Sequence, residues 1–230
     1  MGQYTVPPTK ARLCVKRGGH AVVRAWHIPK PVVLVDTRER APFSLFENHP
    51  NWIGGVRRVK LDAGDYSVEG MKDILTLERK SLPDVINSTM ADRASPSPGR
   101  PLLRARSDAI NSRIAGRAPF RPSPGRWARF LRSCERLAAF RWKAILVEAT
   151  YEDMKTPYDD LEDLVTEAHP NAVCGTLDAI EAKFGIPILY TSRDPDLASE
   201  KAASWLSKHF TYWWLEENGH GRVLVDTDGL

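Results

Sequence analysis

Acidic residues and one lysine occur at a spacing that suits hydrolysis of a phosphodiester bond. Residues 74–80 begin as an apolar run typical of a strand and end in Glu78, Arg79 and Lys80. Because alternate side chains of a strand share a face, Glu78 and Lys80 should point one way and Arg79 the other. Asp65 opens another predicted strand, 13 residues before Glu78, which a short turn can bring alongside. The pattern therefore predicts two carboxylates and an ammonium group in one cleft.

Metal-assisted hydrolysis is the chemistry that such a cleft would favour. Hard carboxylate oxygens suit Mg²⁺, which keeps several waters and also binds substrate phosphate. A bound ion stabilises charge on phosphoryl oxygens and lowers the pKa of a bound water. A neighbouring lysine can orient that water or offset the developing negative charge. The sequence predicts Mg²⁺ or Mn²⁺ as the cofactor and does not choose between them.

The elements that must position these residues follow from hydrophobic patterning. The core should begin at the apolar run 32–35, a buried strand that ends at Asp36. Further strands are predicted at 56–61, 65–68, 74–78, 144–147 and 186–190, and helices at 127–140, 171–184 and 195–210. Strands that alternate with helices after a strand-rich first half predict an α/β fold, with a mixed central sheet flanked by helices.

A helix is also expected directly after the charged triplet. Ser81 is a predicted N-cap, and Asp84 falls three residues later at the spacing of a capping box. The helix should run to about Met90. Asp84 therefore has a structural interpretation as a capping residue beside any role in chemistry, and the two roles are compatible.

The basic charge of the chain comes from a single stretch. The net charge is +4, yet residues 93–132 contain ten Arg and one acid, so the remainder sums to −5. Residues 93–126 include six Pro and contain Ser-Pro-Gly-Arg twice, which favours a mostly flexible insertion. Phosphate binding by this stretch is the alternative. The predicted organisation is an N-terminal extension at 1–30 with a short strand at 21–25, a domain at 31–210 interrupted by the insertion, and a tail at 211–230.

Several other classes of protein are disfavoured by the composition. No apolar run approaches the roughly 20 residues of a membrane helix. No secretory signal is evident at the N-terminus, so we expect an intracellular protein, cytoplasmic if bacterial or phage. Cys14, Cys134 and Cys174 form no CxxC pair, which argues against a zinc site and favours buried thiols.

The charged residues also match a known family pattern. Gly64-Asp65, twelve residues, Glu78-Arg79-Lys80, three residues and Asp84 resemble the signature of the XPF-type structure-specific nucleases. Residues 35–39 are similar to that family's first conserved strand end, and 129–148 resemble the helix and strand that follow. The resemblance spans roughly 32–92 and 127–210.

This resemblance implies a restriction-endonuclease-like core that cuts DNA. It implies that Asp65 and Glu78 are metal ligands and that Lys80 is the catalytic lysine. The supporting active-site residues would be Asp36, Glu39, Arg79 and Asp84. The family cuts near junctions between duplex and single strand, often as a dimer, so branched or flapped DNA in repair or recombination and a homodimer are expected.

Other interpretations remain open at this point. The chain could be a DNA-junction-binding module of the same fold without catalysis, or a variant in which the stretch 93–126 prevents folding or dimer assembly. Asp36 and Glu39 could be structural turn residues. Residues 212–214, Tyr-Trp-Trp, are more typical of a core or subunit interface than of a base-stacking platform.

Overall fold

The computed structural model describes residues 15–17, 20–23, 28–90, 125–158, 161 and 169–218. Nearly all of the predicted insertion at 93–126 therefore lies outside the described residues, as do Cys14 and the end of the predicted tail.

Eight strands are present in the described part of the chain. β1 (Val15–Arg17) and β2 (His20–Val23) form an antiparallel pair before the core, where only one short strand was predicted. The other six strands form one sheet: β3 (Val32–Asp36), β4 (Gly55–Val59), β5 (Tyr66–Val68), β6 (Leu75–Ser81), β7 (Trp142–Glu148) and β8 (Ile188–Tyr190).

The direction of the strands brings chemistry-bearing residues to one edge of the sheet. The strand order is β4-β3-β5-β6-β7-β8, and β5 runs antiparallel to both of its neighbours while the remaining pairs are parallel. The carboxyl ends of β3, β6 and β7 therefore meet the amino end of β5 at a common edge. In open α/β sheets, ligands bind outside the carboxyl ends of the strands.

Helices cover both faces of this sheet. The helices are α1 (Leu45–Asn48), α2 (Leu82–Met90), α3 (Arg126–Ala138), α4 (Tyr151–Lys155), α5 (Pro170–Phe184) and α6 (Pro195–Glu217). Helices α2 to α5 pack around one buried cluster, and α1 and α6 pack around the other. The predicted α/β class, with a mixed central sheet flanked by helices, is confirmed.

The two-sided burial explains why the central strands are continuously apolar. Ile145 and Val147 belong to the cluster under α2 to α5, whereas Ala144 and Leu146 belong to the cluster under α6. Both faces of β7 are therefore removed from water, as expected for a strand paired in parallel on both sides. Cys134 is a buried free thiol in the first of these clusters, as predicted.

Two elements extend further than their patterns predict. β6 continues to Ser81 because its parallel ladder with β7 continues to the pair Ser81 and Glu148, across polar residues. Helix α6 continues to Glu217 because Trp213, Trp214 and Leu215 are buried or half-buried, with Trp213 and Trp214 against the core. The aromatic residues at 212–214 thus lie on a core helix, in agreement with the structural interpretation.

The two shortest helices, α1 and α4, were not predicted from the sequence. Both are too short to show a helical period. α4 did carry a local signal, since Thr150 and Asp153 form a reciprocal capping box at its start. Within the described ranges, no helix combines the length and apolar character needed to cross a membrane.

Gly64 controls the entry into β5, and its replacement should be costly. Its φ is 72°, and a Cβ built there would lie 2.1 Å from the Thr76 hydroxyl oxygen. Gly64→Ala is therefore expected to lower the free energy of unfolding by about 2–4 kcal/mol. Gly175→Ala is the matched control, because an added methyl meets nothing within 4 Å on helix α5, and it should stabilise by about 0.5–1 kcal/mol. Denaturant unfolding of both variants measures the difference; equal stability of Gly64→Ala and wild type would contradict this account of the turn.

Candidate active site

Asp65 is held against the end of β6 by two backbone contacts. Its N–H donates to the Leu77 carbonyl at 2.9 Å, and its carboxylate accepts the Arg79 N–H at 2.8 Å. These bonds cross from the start of β5 to the neighbouring strand, so the Asp65 carboxylate lies beside Glu78. The short turn expected from the sequence does bring the two strands together.

Asp65 is shielded from water and lies in the electrostatic field of Glu78. Burial, followed by the negative charge of Glu78, raises the pKa of Asp65 to about 7. The Arg79 N–H and the Lys80 charge act in the opposite direction but do not compensate. Two acidic groups thus share a space partly removed from water, where a positive ion would favour the ionised form of both.

The residues present fit a hard divalent ion such as Mg²⁺ or Mn²⁺. Asp65 and Glu78 offer carboxylate oxygens only, which are the ligands that such ions prefer. Among the described residues, no group of three or more His, Cys, Asp or Glu side chains is placed to hold a metal ion. An ion held by two carboxylates would therefore complete its coordination with water or phosphate, as Mg²⁺ usually does.

Lys80 occupies the same cleft as Glu78. Its Nζ lies 3.4 Å from Glu78 Oε1 and 5.0 Å from the centre of the Phe130 ring. The side chain is 14% exposed, so the ammonium group is partly shielded without being enclosed in the core. Glu78 and Lys80 share one face of β6, as the strand period predicts.

Arg79 points to the opposite face of β6 and holds neighbouring elements together. Its guanidinium forms a bidentate pair with Glu148, with distances of 2.5 and 3.1 Å, and lies 4.0 Å above the Phe43 ring. It also donates to the Ala41 carbonyl. Arg79 therefore joins the ends of β6 and β7 to the loop after β3.

Asp36 is buried, and its carboxylate already has a full set of partners. One oxygen accepts from the Arg38 backbone and Nε, both at 2.7 Å; the other accepts from Arg38 Nη2 at 2.9 Å and the Leu61 N–H at 2.8 Å. The Arg38 guanidinium is the main reason why the pKa of Asp36 is lowered to about 2. The geometry gives Asp36 a structural role, which is to fix the two loops that flank the cleft.

Glu39 joins the same loop to Arg79. Its Oε1 accepts the Ala41 N–H at 2.9 Å and lies 3.8 Å from Arg79 Nη1. Glu39 also adds negative charge near Asp65, which contributes to the raised pKa of that group. It therefore lies beside the cleft and stabilises the loop that borders it.

Asp84 caps the first turn of α2 through Ser81. The Ser81 hydroxyl donates to Asp84 Oδ2 at 2.9 Å and accepts the Asp84 N–H at 3.3 Å. The predicted N-cap contact is present, although the Asp84 carboxylate bonds the hydroxyl and not the Ser81 backbone. Asp84 is exposed and also borders a groove that contains Lys80.

Glu148 and Arg38 belong to the site but were not singled out from the sequence. Glu148 ends β7 and pairs with Arg79, and its position directly after the apolar run 144–147 was the available signal. Arg38 bonds Asp36 and the Leu61 carbonyl, while its charge also interacts with Asp65 and Glu78. Both residues lie at the same edge of the sheet as the predicted site.

Comparisons with known proteins return a limited similarity. No protein-family model matches the chain, and no curated protein gives a significant match. Among solved structures, XPF from Aeropyrum pernix matches with a TM-score of 0.44 and 20% identity, over 83% of this chain and 69% of that chain. XPF from Aeropyrum pernix in complex with DNA matches with a TM-score of 0.43 and 20% identity, over 82% of this chain and 66% of that chain. These likenesses concern the fold, and the assignment of the site depends on the contacts described above.

The raised pKa of Asp65 predicts a pH-dependent stability in metal-free protein. Between about pH 4 and 7 the folded protein holds a proton on Asp65 that the unfolded chain has lost, since its pKa is 3.8 without the fold and about 7 within it. The contribution of Asp65 to stability should therefore fall as the pH rises through this window. Asp65→Asn removes this contribution, so the variant should gain stability relative to wild type as the pH rises.

Denaturant unfolding in EDTA at several pH values measures this difference. Asp62→Asn is the matched control, because Asp62 is exposed only three residues away. A difference between Asp65→Asn and wild type that is independent of pH would contradict the raised pKa of Asp65.

The Arg79 and Glu148 side chains should be energetically coupled. The two side chains are 17% and 12% exposed, so their charges are largely shielded from water. A double-mutant cycle with Arg79→Ala and Glu148→Ala should give a coupling energy of about 1.5–3 kcal/mol. The pair Arg141 and Glu216 is 57% and 42% exposed, so its cycle should give under about 1 kcal/mol. Equal coupling energies in the two cycles would contradict the stabilising role of the Arg79–Glu148 pair.

Proposed function

We propose that this chain is a metal-dependent DNA endonuclease that hydrolyses phosphodiester bonds. The observation that carries the proposal is the convergence of Asp65, Glu78 and Lys80 at the common edge of the sheet. Burial and the Glu78 charge raise the pKa of Asp65, and the Lys80 ammonium lies 3.4 Å from Glu78. Two such carboxylates and an ammonium group combine what metal-assisted hydrolysis needs.

In this proposal Asp65 and Glu78 hold the ion, Mg²⁺ or Mn²⁺. When bound, such an ion neutralises charge on the phosphoryl oxygens and makes a bound water more acidic. Lys80 lies beside Glu78 and is positioned to orient the attacking water or to offset negative charge on the phosphate. Water adds to phosphorus and the bond to the leaving oxygen breaks. Solvent accepts the proton lost by the water and supplies one to the leaving oxygen, which becomes a hydroxyl.

Four residues around the cleft, two of them predicted from the sequence, act as positioning residues. Arg79 and Glu148 fix the end of β6, from which Glu78 and Lys80 project. Asp36 and Arg38 fix the loops on the other side of Asp65. These contacts reduce the freedom of the acidic groups, and preorganised groups need no rearrangement when charge develops in the reaction.

The proposal extends to the kind of DNA and to assembly. A preference for branched or flapped DNA in repair or recombination, and action as a homodimer, follow from the resemblance of residues 64–84 to the XPF-type signature. A panel of flap, splayed-arm, nicked and plain duplex DNAs tests the preference. Sedimentation of the purified protein tests the assembly.

Cleavage by point variants tests the proposal itself. Asp65→Ala and Lys80→Ala should each reduce the cleavage rate at least a hundredfold, since each removes a group that acts on the reacting phosphate (about 10²–10³ for such groups). Lys72→Ala and Asp73→Ala are the matched controls, because both residues are exposed in the turn before β6, at the far end of that strand. Both controls should cut at the wild-type rate, and EDTA should stop all cutting.

Two outcomes would contradict the proposal. Undiminished cutting by both Asp65→Ala and Lys80→Ala would reject the assignment of the site. Tight, salt-sensitive binding to branched DNA without cleavage of any substrate by wild type would favour the non-catalytic DNA-binding module instead.

A further inference from the structure

A groove between α2 and α3 opens beside Lys80. It has a volume of about 380 Å³, comparable with the smaller ligand pockets of proteins. Its lining includes Lys80, Asn87, Ser88, Arg126, Arg129 and Ser133. Because Lys80 also lies 3.4 Å from Glu78, the groove and the candidate active site share one side chain.

The polar lining residues lie on the sides of α2 and α3 that border the groove. On α3, Arg126, Arg129 and Ser133 are separated by three and four residues, so they lie along one side of that helix. On α2, Asn87 and Ser88 face the same space. The adjoining stripe of α3 carries Cys134 and Leu137, which are buried in the core. Both helices are therefore anchored by apolar packing beside a polar opening.

The charge of the groove favours an anion. Three cationic side chains line it, namely Lys80, Arg126 and Arg129, against one carboxylate, that of Asp84. The two serine hydroxyls and the Asn87 amide add uncharged hydrogen-bonding groups to the lining. Arginine and hydroxyl side chains are the usual protein contacts to phosphate oxygens in nucleic acids. The chemistry of the lining is thus that of a sugar-phosphate subsite.

We propose that this groove binds the phosphodiester backbone of the strand that adjoins the scissile bond. The inference rests on the proposed nuclease function, because the continuity through Lys80 places a strand in the groove next to the cleavable phosphate. Arg126 and Arg129 are then positioning residues for the substrate. They hold the strand in register while Asp65, Glu78 and Lys80 act on its neighbouring phosphate.

Binding without catalysis tests the groove independently of cleavage. The probe is a fluorescent flap DNA in EDTA, and the variant is Arg126→Gln/Arg129→Gln. The matched control is Arg132→Gln/Arg136→Gln, which removes the same charge from exposed positions of α3 outside the groove lining. The groove variant should bind about tenfold or more weakly than the control. The negative slope of log affinity against log salt should become shallower by about 1.8 in the groove variant, for two lost phosphate contacts.

Neutral methylphosphonate linkages identify which phosphates of the DNA strand contact the groove. Placed one at a time along the flap DNA, they should weaken wild-type binding at one or two positions adjoining the cut site. The groove variant should be insensitive at those same positions, because its contacts there are already lost. The control variant should retain the wild-type pattern.

The outcomes separate this inference from the nuclease proposal. Equal loss of affinity in the groove and control variants, or unchanged sensitivity of the groove variant to the methylphosphonates, would overturn the inference. So would a wild-type protein that does not bind DNA, or a groove that takes an acidic peptide in preference to DNA. A groove-dependent affinity in a wild-type protein that never cuts would uphold the binding subsite and reject the nuclease. If Arg129→Gln lowers the melting temperature, the DNA affinities of the single variants Arg126→Gln and Arg132→Gln are compared instead. Arg126 is suitable because it is the exposed first residue of its helix.

Discussion

The burial of the Asp65 carboxylate beside the negative charge of Glu78 is the constraint on which the site depends. The fold holds the two acids together at a cost, because burial and the Glu78 charge raise the pKa of Asp65 to about 7. Backbone hydrogen bonds between the start of β5 and the end of β6 maintain this arrangement. In the proposed function a cation between the two acids would lower this cost, because its positive charge favours the ionised form of both carboxylates.

The surrounding residues divide into those that hold the acids and those that face the cleft. Arg79 and Glu148 join two parallel strands on one side of the sheet, and Asp36 joins the loops on the other. The Arg79 guanidinium and the Asp36 carboxylate are both engaged in these contacts. Lys80 is different, because it contacts Glu78 and also borders the groove between α2 and α3. It therefore connects the chemistry with the surface proposed to bind the strand.

The sequence predicts the parts of the site that depend on local period and misses those that depend on distant partners. Strand alternation placed Glu78 and Lys80 on one face, and a turn between apolar runs placed Asp65 alongside. Glu148 was missed, although it directly follows the apolar run 144–147, because its partner Arg79 lies 69 residues earlier and only the parallel ladder brings the two together. The late end of α6 likewise depends on tertiary packing, since the Trp213 ring lies against Gly70 in the turn between β5 and β6.

Direct observation of the ion tests the central claim most closely. Crystals of the wild-type protein soaked in Mn²⁺ should show one anomalous peak within about 2–2.5 Å of both the Asp65 and Glu78 carboxylates. The peak should be absent from crystals of Asp65→Asn grown and soaked in the same way. An ion bound elsewhere, with no density between these two carboxylates at Mn²⁺ concentrations that support cleavage, would contradict the account.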